Sequence, residues 1–518
     1  MATPSEKLAE SLEVLKKLQD KAIVAVRSTD LSRTHLERLK KNGFLTEVMK
    51  GWFISSDPEE QAGETTGWYA SFWDFCAAYL DQRFGKHWCL SPEQSLFLHA
   101  ENRAVPQQLL IRAPKGGNKP TNLLHNTSLI ASRLALPKAE QRQVKNKLRI
   151  YTLPAALVFT GPAFFRQNST DARTVLAMIQ DASDVLSILL EGGHSRIAGR
   201  LAGAFRNNGD HRIAQDIIDT MKRAGYDSRE SDPFENQVPF SGIGRERSAY
   251  VTRINLMWHT MREEIIDIFP AKPDTKPDID AYMARVQEIY VTDAYHSLSI
   301  EGYRVSAGLI ERVRTGEWNP DDNEEDRNQR NALAARGYHE AFEVVAQSVR
   351  KILEGTNPGE VADNDHATWY RELFAPSVTA GILNVTDLAG YRNMPVYIRN
   401  SMHPPPAHES IRDTMPLLFS LLRDEPDPGV RVVLGHFVFV YIHPYIDGNG
   451  RIGRFLMNAM LAAGGYPWTV ILVETRDTYM QSLEAASVGQ NIKPFTEFLS
   501  SLVKDNIEGK PGPRVPAD

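Results

Sequence analysis

A mainly α-helical protein is predicted, all-helical with one β-hairpin in its second half and carrying a winged helix and a small mixed α/β unit in front. Three observations predict it. Beyond residue 248 apolar residues recur at helical spacing; residues 22–56 read as two short helices and then alternating strands; and a polar stretch bearing Pro and Gly separates the halves. At 518 residues the chain exceeds what one hydrophobic core serves, so several domains of ~100 to 200 residues are expected.

Within 22–56, Ser32 is placed to cap a helix over 33–42, Gly43 to stop it, and 44–48 with 51–54 to form a wing. That order is what a winged helix-turn-helix needs. Arg33, Arg38 and Lys40, with His35 and Lys41 beside them, then either meet DNA phosphates or form a solvated charged face. An aromatic-rich helix over 68–80 follows, then strands at 109–112, 148–152 and 156–159, and helices at 171–190, 194–204 and 211–224 with Gly225 as stop. Residues 227–247 hold Pro233, Pro239, Gly242 and Gly244 and have linker composition. The expected division is 1–90, 91–235, a linker and leading helix over 236–274, and a last domain over 275–510.

In that last part helices are expected near 249–268, 278–298, 305–316, 324–354, 368–380, 408–424, 428–442, 450–464, 475–488 and 494–507. The one hairpin is expected over 390–402, and 354–366 reads as a polar loop. The net charge of −6 removes wholesale attraction to nucleic acid, so any DNA contact must come from a local patch. Cys76 and Cys89 are too few for a disulfide framework and suit a reducing cytoplasm. The first 20 residues lack the pattern of a secretory signal, and no apolar window approaches the ~18 residues that span a bilayer, so neither export nor a membrane is expected.

The run His443-Pro444-Tyr445-Ile446-Asp447-Gly448-Asn449-Gly450-Arg451-Ile452-Gly453-Arg454 carries the chemistry. It lies between two apolar helical stretches. Pro444 ends the first, and Gly448 and Gly450 permit the positive φ angles that turn backbone N–H groups inward as an anion nest. The second helix then begins with its positive dipole end at the same spot, and Arg451 and Arg454 share one face of its first turn as a polyphosphate clamp. Asp447 repels phosphate and so makes sense as a ligand for Mg²⁺ bridging phosphate oxygens. His443, with an ordinary pKa near ~6.5, is able to take the proton of an incoming hydroxyl. Phosphoryl or nucleotidyl transfer follows. The spacing fits neither a calcium loop nor a GxxxxGK(S/T) phosphate loop.

This run resembles the signature HPFx(D/E)GNGRxxR of the Fic (filamentation induced by cAMP) family, with Tyr445 where phenylalanine is usual. The resemblance implies a compact helical domain over 275–510 that transfers AMP from ATP to a Ser, Thr or Tyr hydroxyl of a protein, the chain itself included. It implies His443 as general base, Asp447 as Mg²⁺ ligand, Gly448, Asn449 and Gly450 as phosphate loop, and Arg451 and Arg454 as clamp. Residues 390–402 resemble the family's flap, in which Val396, Tyr397 and Ile398 dock the target as an added strand. Tyr479 resembles a tyrosine near the adenosine and is equally readable as a core aromatic. Upstream, Ser297, Glu301 and Gly302 match the family's inhibitory motif (S/T)xxxE(G/N) on a helix over 278–301, implying a bidentate pair between Glu301 and Arg454 that displaces the γ-phosphate.

The first ~230 residues resemble abortive-infection antitoxins, whose first domain is a winged helix; this implies DNA or a toxin-like activity as partner. A second reading therefore stands beside the enzyme: a DNA-binding regulator whose Fic part is a silenced nucleotide sensor. A homodimer is carried as a further expectation.

Overall fold

The computed structural model describes residues 3–58, 64–235, 248–274, 277–318, 329–510 and 515. The chain divides into two compact units, one of residues 1–253 with 397–404, the other of 254–396 with 405–518. Most of the linker, including Pro239, Gly242 and Gly244, and the first residues of the helix expected from 324 lie outside the described residues.

The first unit opens with α1 (Pro4–Gln19), started by a capping box in which Thr3 and Glu6 satisfy each other's backbone N–H groups. β1 (Val26–Arg27), α2 (Arg33–Lys41), β2 (Leu45–Met49) and β3 (Trp52–Ser55) follow, the strands forming an antiparallel sheet in the order β1-β3-β2. The two-helix expectation for 22–56 is corrected: one helix lies there, Ser32 capping it, and the other is α1, since residues 26–27 pair with β3 instead. Leu15, Val26, Leu31, Leu39, Leu45 and Phe53 close a small core between them.

α3 (Thr66–Phe84), β4 (Cys89–Leu90), α4 (Pro92–His99), β5 (Gln108–Ala113), β6 (Pro120–Asn122) and β7 (Ser128–Arg133) build a four-stranded sheet in the order β4-β5-β7-β6, and β8 (Arg142–Lys145) pairs with β9 (Leu148–Tyr151). The strand expected at 156–159 is instead part of α5 (Leu153–Phe159). A four-residue apolar run does not separate buried strand from buried helix, and Pro154 in the first turn starts a helix. α6 (Pro162–Gln167), α7 (Ser169–Ala177), α8 (Ser183–Gly192), α9 (Ser195–Asn207) and α10 (His211–Arg223) complete the unit. The single helix expected over 171–190 is broken because Asp181 turns its carboxylate onto the N–H of Ser183 at 2.9 Å and starts a new one.

The second unit is helical. α11 (Ala249–Ile268), which begins four residues before the unit boundary at 253, leads to α12 (Ile279–Ile300), α13 (Ala307–Thr315), α14 (Gln329–Leu353), α15 (Pro358–Thr379), α16 (Ile411–Asp424), α17 (Pro428–Ile442), α18 (Asn449–Ala463), α19 (Arg476–Ser487) and α20 (Lys493–Ile507). The polar loop expected at 354–366 is mostly the start of α15. Asn357 caps it, its Oδ1 accepting from Gly359 at 2.9 Å, and the polar residues form the helix's outer face. α17 is apolar on nearly all sides, and α18 buries Asn449, Arg451, Arg454 and Asn458 beside its apolar residues; both are buried almost throughout and pack against each other.

Residues 390–402 form no paired strands, which corrects the expected hairpin. Their backbone partners lie elsewhere: Arg392 N–H donates to Pro444 O at 2.9 Å, and within the first unit Val105 N–H donates to Met402 O at 2.9 Å and Asn400 N–H to Thr66 Oγ1 at 3.1 Å. Pro395 also interrupts the run, removing a ladder donor.

Candidate active site

α17 delivers His443. Pro444 cannot extend the helix, and His443 turns left-handed at φ 52° while its N–H still donates to Phe439 O at 3.0 Å. Its Nδ1 lies 3.1 Å from Val440 O. A carbonyl only accepts, so Nδ1 carries the proton and Nε2 keeps its lone pair. Burial drives the imidazole pKa down to about 4, so the ring is neutral at neutral pH. His436, two turns earlier on α17, is a second buried imidazole and serves the packing instead. Its Nδ1 donates to Gly453 O and its Nε2 accepts from Tyr479 Oη, both at 2.8 Å. Tyr479 is therefore buried, packed on Phe495 and Phe498.

The turn between α17 and α18 is held by Asn449. Its Oδ1 accepts from Tyr445 N–H and its Nδ2 donates to Tyr445 O, both at 2.9 Å, so the side chain is engaged within the turn. Gly448 is left-handed at φ 81°, as expected. Gly450 is not, which corrects the second positive φ: it lies in the first turn of α18, where a Cβ would stand 2.3 Å from Glu301 Oε1 and push that carboxylate aside.

Glu301 arrives from the end of α12. Ser297 and Glu301 are one turn apart, so both face the same neighbour. Arg454 donates from Nε to Ser297 Oγ at 2.9 Å, and from Nη2 to Ser297 O at 3.0 Å and Glu301 Oε1 at 2.7 Å. The bidentate pair is thus corrected to a single bond: the Nε–Nη2 edge of the guanidinium is divided between Ser297 and Glu301. Burial works against the Arg454 charge, and the adjacent Glu301 outweighs it, raising the guanidinium pKa above its usual range. Gly302 follows at φ 86°, with its N–H on Ser299 O at 3.0 Å and Tyr303 N–H on Leu298 O at 3.1 Å, the left-handed helix stop that keeps Glu301 in the last turn.

Arg451 is 1% exposed and takes other partners: Asp447 Oδ2 at 3.2 Å, and the rings of Tyr303 and Phe374 at 5.3 and 5.0 Å. Both arginines of the expected clamp therefore hold a carboxylate. Asp447 also accepts from Gly448 N–H at 2.6 Å, and its side chain is 63% exposed. Among the described residues no group of three or more His, Cys, Asp or Glu side chains could hold a metal ion. Val396 and Ile398 are half-buried and Tyr397 exposed, on backbone without strand pairing.

The three basic residues expected to meet DNA have partners nearby. Arg33 pairs with Glu37 and Lys40 with Glu47, each at 2.8 Å, and Arg38 Nη1 donates to Ser11 Oγ at 2.8 Å.

The Fic/DOC family model matches residues 365–461, which run from within α15 through His443 and the turn to nearly the end of α18. The chain carries a Fic/DOC domain. It is similar to the protein adenylyltransferase Fic of Nematostella vectensis, 28% identical over 255 residues, covering 48% of this chain and 55% of that protein. It is similar also to protein adenylyltransferase fic-1 of Caenorhabditis elegans, 26% identical over 234 residues, covering 43% of this chain and 41% of that one. A solved structure of C. elegans Fic-1 aligns at 18% identity with a TM-score of 0.38, covering 62% of this chain and 91% of that one. The chain spans about half the length of the curated relatives it matches. No helix among the described residues is long and apolar enough to cross a membrane.

Two features of the Fic/DOC domain lie outside the residues assigned a role above, the second marked in sequence by a tyrosine where phenylalanine is usual. Arg392 donates to main-chain carbonyls around His443, and only an arginine in a Gly-Tyr-Arg run marks it in sequence. The other is Tyr445, stacked on Tyr370 at 3.9 Å, its hydroxyl buried without a hydrogen-bond partner. Such a group costs about 1–3 kcal/mol. Tyr445→Phe keeps the stack and removes the orphan, so thermal unfolding is expected to show the variant more stable by about 1 kcal/mol; an unchanged or lower melting temperature would refute that cost.

Proposed function

We propose that the chain is a protein adenylyltransferase that moves AMP from ATP to a Ser, Thr or Tyr hydroxyl of a protein, with Glu301 as its built-in inhibitor. The observation carrying this is a neutral imidazole, with Nε2 as its free lone pair, on the turn that leads into the N-terminal end of α18. That end offers unpaired backbone N–H groups and positive dipole to a phosphate chain. The target hydroxyl gives its proton to His443 Nε2 while its oxygen attacks the α-phosphorus. The bond from that phosphorus to the α,β-bridging oxygen breaks and pyrophosphate departs, its charge met by Arg454 and the α18 amides. Asp447, exposed and a single carboxylate, fits a Mg²⁺ that arrives with ATP, because that ion keeps its waters and takes one or two carboxylates beside phosphates. Bound there, the ion would neutralise phosphate charge.

Glu301 supports the inhibitory reading by position. Its carboxylate lies on the first turn of α18 and takes an Arg454 N–H, so it stands where an anion would bind. Val396, Tyr397 and Ile398 remain the segment we assign to target docking, now through backbone outside any strand rather than a hairpin edge. The two free, buried thiols suit a cytoplasmic setting. The DNA-binding reading draws on Arg33, Arg38 and Lys40, and each already holds a partner in its own unit.

Intact mass of the full chain with Glu301→Gly, incubated with ATP and Mg²⁺, tests the proposal. One or more added adenylates are expected. Added phosphate in place of adenylate, or no addition to this chain or to any protein of a lysate, would overturn it.

A further inference from the structure

The last four carbonyls of any α-helix lack intrahelical partners, and α17 ends on the imidazole that does the chemistry. Arg392, 3% exposed, supplies a donor to the last of them, Ile442 O, and to the carbonyl of the residue that follows. Its Nε donates to His443 O at 2.7 Å, Nη1 to Met394 O at 3.0 Å, and Nη2 to Pro406 O at 2.6 Å and Ile442 O at 3.4 Å; its own N–H meets Pro444 O at 2.9 Å. One guanidinium thus grips the last helical carbonyl, that of the left-handed residue after it, and both arms of the 390–406 loop. A left-handed conformation is unfavourable for a β-carbon-bearing residue and persists only where its surroundings hold it. A cation at a helix C-terminus also lies where the dipole favours it.

We propose that Arg392 is a positioning residue: by fixing the carbonyl of His443 it sets the turn from which the imidazole is aimed, and it makes that aim depend on the loop before the site. This rests on the reading of His443 as general base. The planar fork is essential. Lysine keeps the charge but gathers its donors on one nitrogen, which does not reach carbonyls lying in several directions.

The test is Arg392→Lys in the full chain carrying Glu301→Gly. With the imidazole misplaced by a fraction of an ångström to an ångström, kcat is expected to fall about 10²-fold, while KM for ATP stays near its parent value because the α18 anion site is untouched. ¹⁵N spectra of the imidazoles provide a readout independent of turnover. The parent is expected to show His443 protonated at Nδ1 only, and Arg392→Lys a mixture of both tautomers. Unchanged kcat with an unchanged tautomer signal would overturn the proposal, as would kcat and KM shifting together. Should the lysine variant not fold, Arg392→Gln, which keeps a planar donor group on a shorter stem, is read in the same way. A parent chain inactive towards ATP would sink adenylyl transfer, while the tautomer comparison would still decide the role of Arg392.

Discussion

Glu301→Gly is expected to raise AMP incorporation about 10- to 100-fold and at the same time to lower thermal stability. Both effects come from one contact. The carboxylate accepts from Arg454 Nη2 at 2.7 Å and lies within 2.3 Å of where a Cβ on Gly450 would be, so it covers the first turn of α18. Without it, the backbone N–H groups of that turn and one edge of the guanidinium are released to a triphosphate, whose productive alignment is worth orders of magnitude in rate. Ser297 still holds Nε and part of Nη2, so the arginine keeps its orientation. Arg454 is only 4% exposed, and an uncompensated buried charge is costly, on the order of 3 kcal/mol. ATP then becomes the missing counter-charge. Saturating nucleotide should accordingly raise the melting temperature of Glu301→Gly more than that of the parent, because a ligand stabilises by its affinity for the folded form. Equal AMP incorporation by both chains, with equal nucleotide-induced shifts, would remove Glu301 from any inhibitory role.

The Ser297-to-Glu301 contact with Arg454 was readable because its spacing has a mechanical meaning. Four residues place Ser297 and Glu301 on one face, and the glycine after the glutamate is the helix stop that leaves the carboxylate in the last turn. What the spacing did not contain was the division of labour at Arg454, where the Ser297 hydroxyl takes Nε and Ser297's own carbonyl shares Nη2; the second of these is a main-chain acceptor and leaves no mark on residue identity. The same holds at Asn449, whose amide is engaged by Tyr445 backbone, and at Arg392, whose guanidinium donates to main-chain carbonyls.

Errors in the fold have a common source as well. The helix start at Asn357 and the break at Asp181 are decided by one polar side chain capturing nearby N–H groups, and hydrophobic periodicity is blind to that. The 390–402 segment alternated well enough for a strand but found its backbone partners on Pro444, Thr66 and Val105, all distant in sequence. Long, strongly patterned helices such as α17 and α18 were legible because burial on all sides leaves an apolar run that local capping does not interrupt.

Replacement of His443 is expected to cost about 10²- to 10⁴-fold in AMP incorporation, the range a positioned general base supplies, measured in the Glu301→Gly chain so that the loss is visible. The choice of replacement decides what the loss means. Alanine removes the base but leaves a left-handed position to a residue that resists it by about 1–2 kcal/mol, so a falling rate could reflect a collapsed turn. Asparagine tolerates φ near the observed 52°, has similar polarity and lacks a lone-pair nitrogen able to take a proton. If proton removal by Nε2 is what His443 contributes, both variants lose activity alike while only the alanine chain loses stability. If instead the residue matters only for shaping the turn, the asparagine chain keeps its rate within about tenfold of the parent, one decade being well short of what general-base catalysis provides, and the chemical role assigned to the imidazole falls.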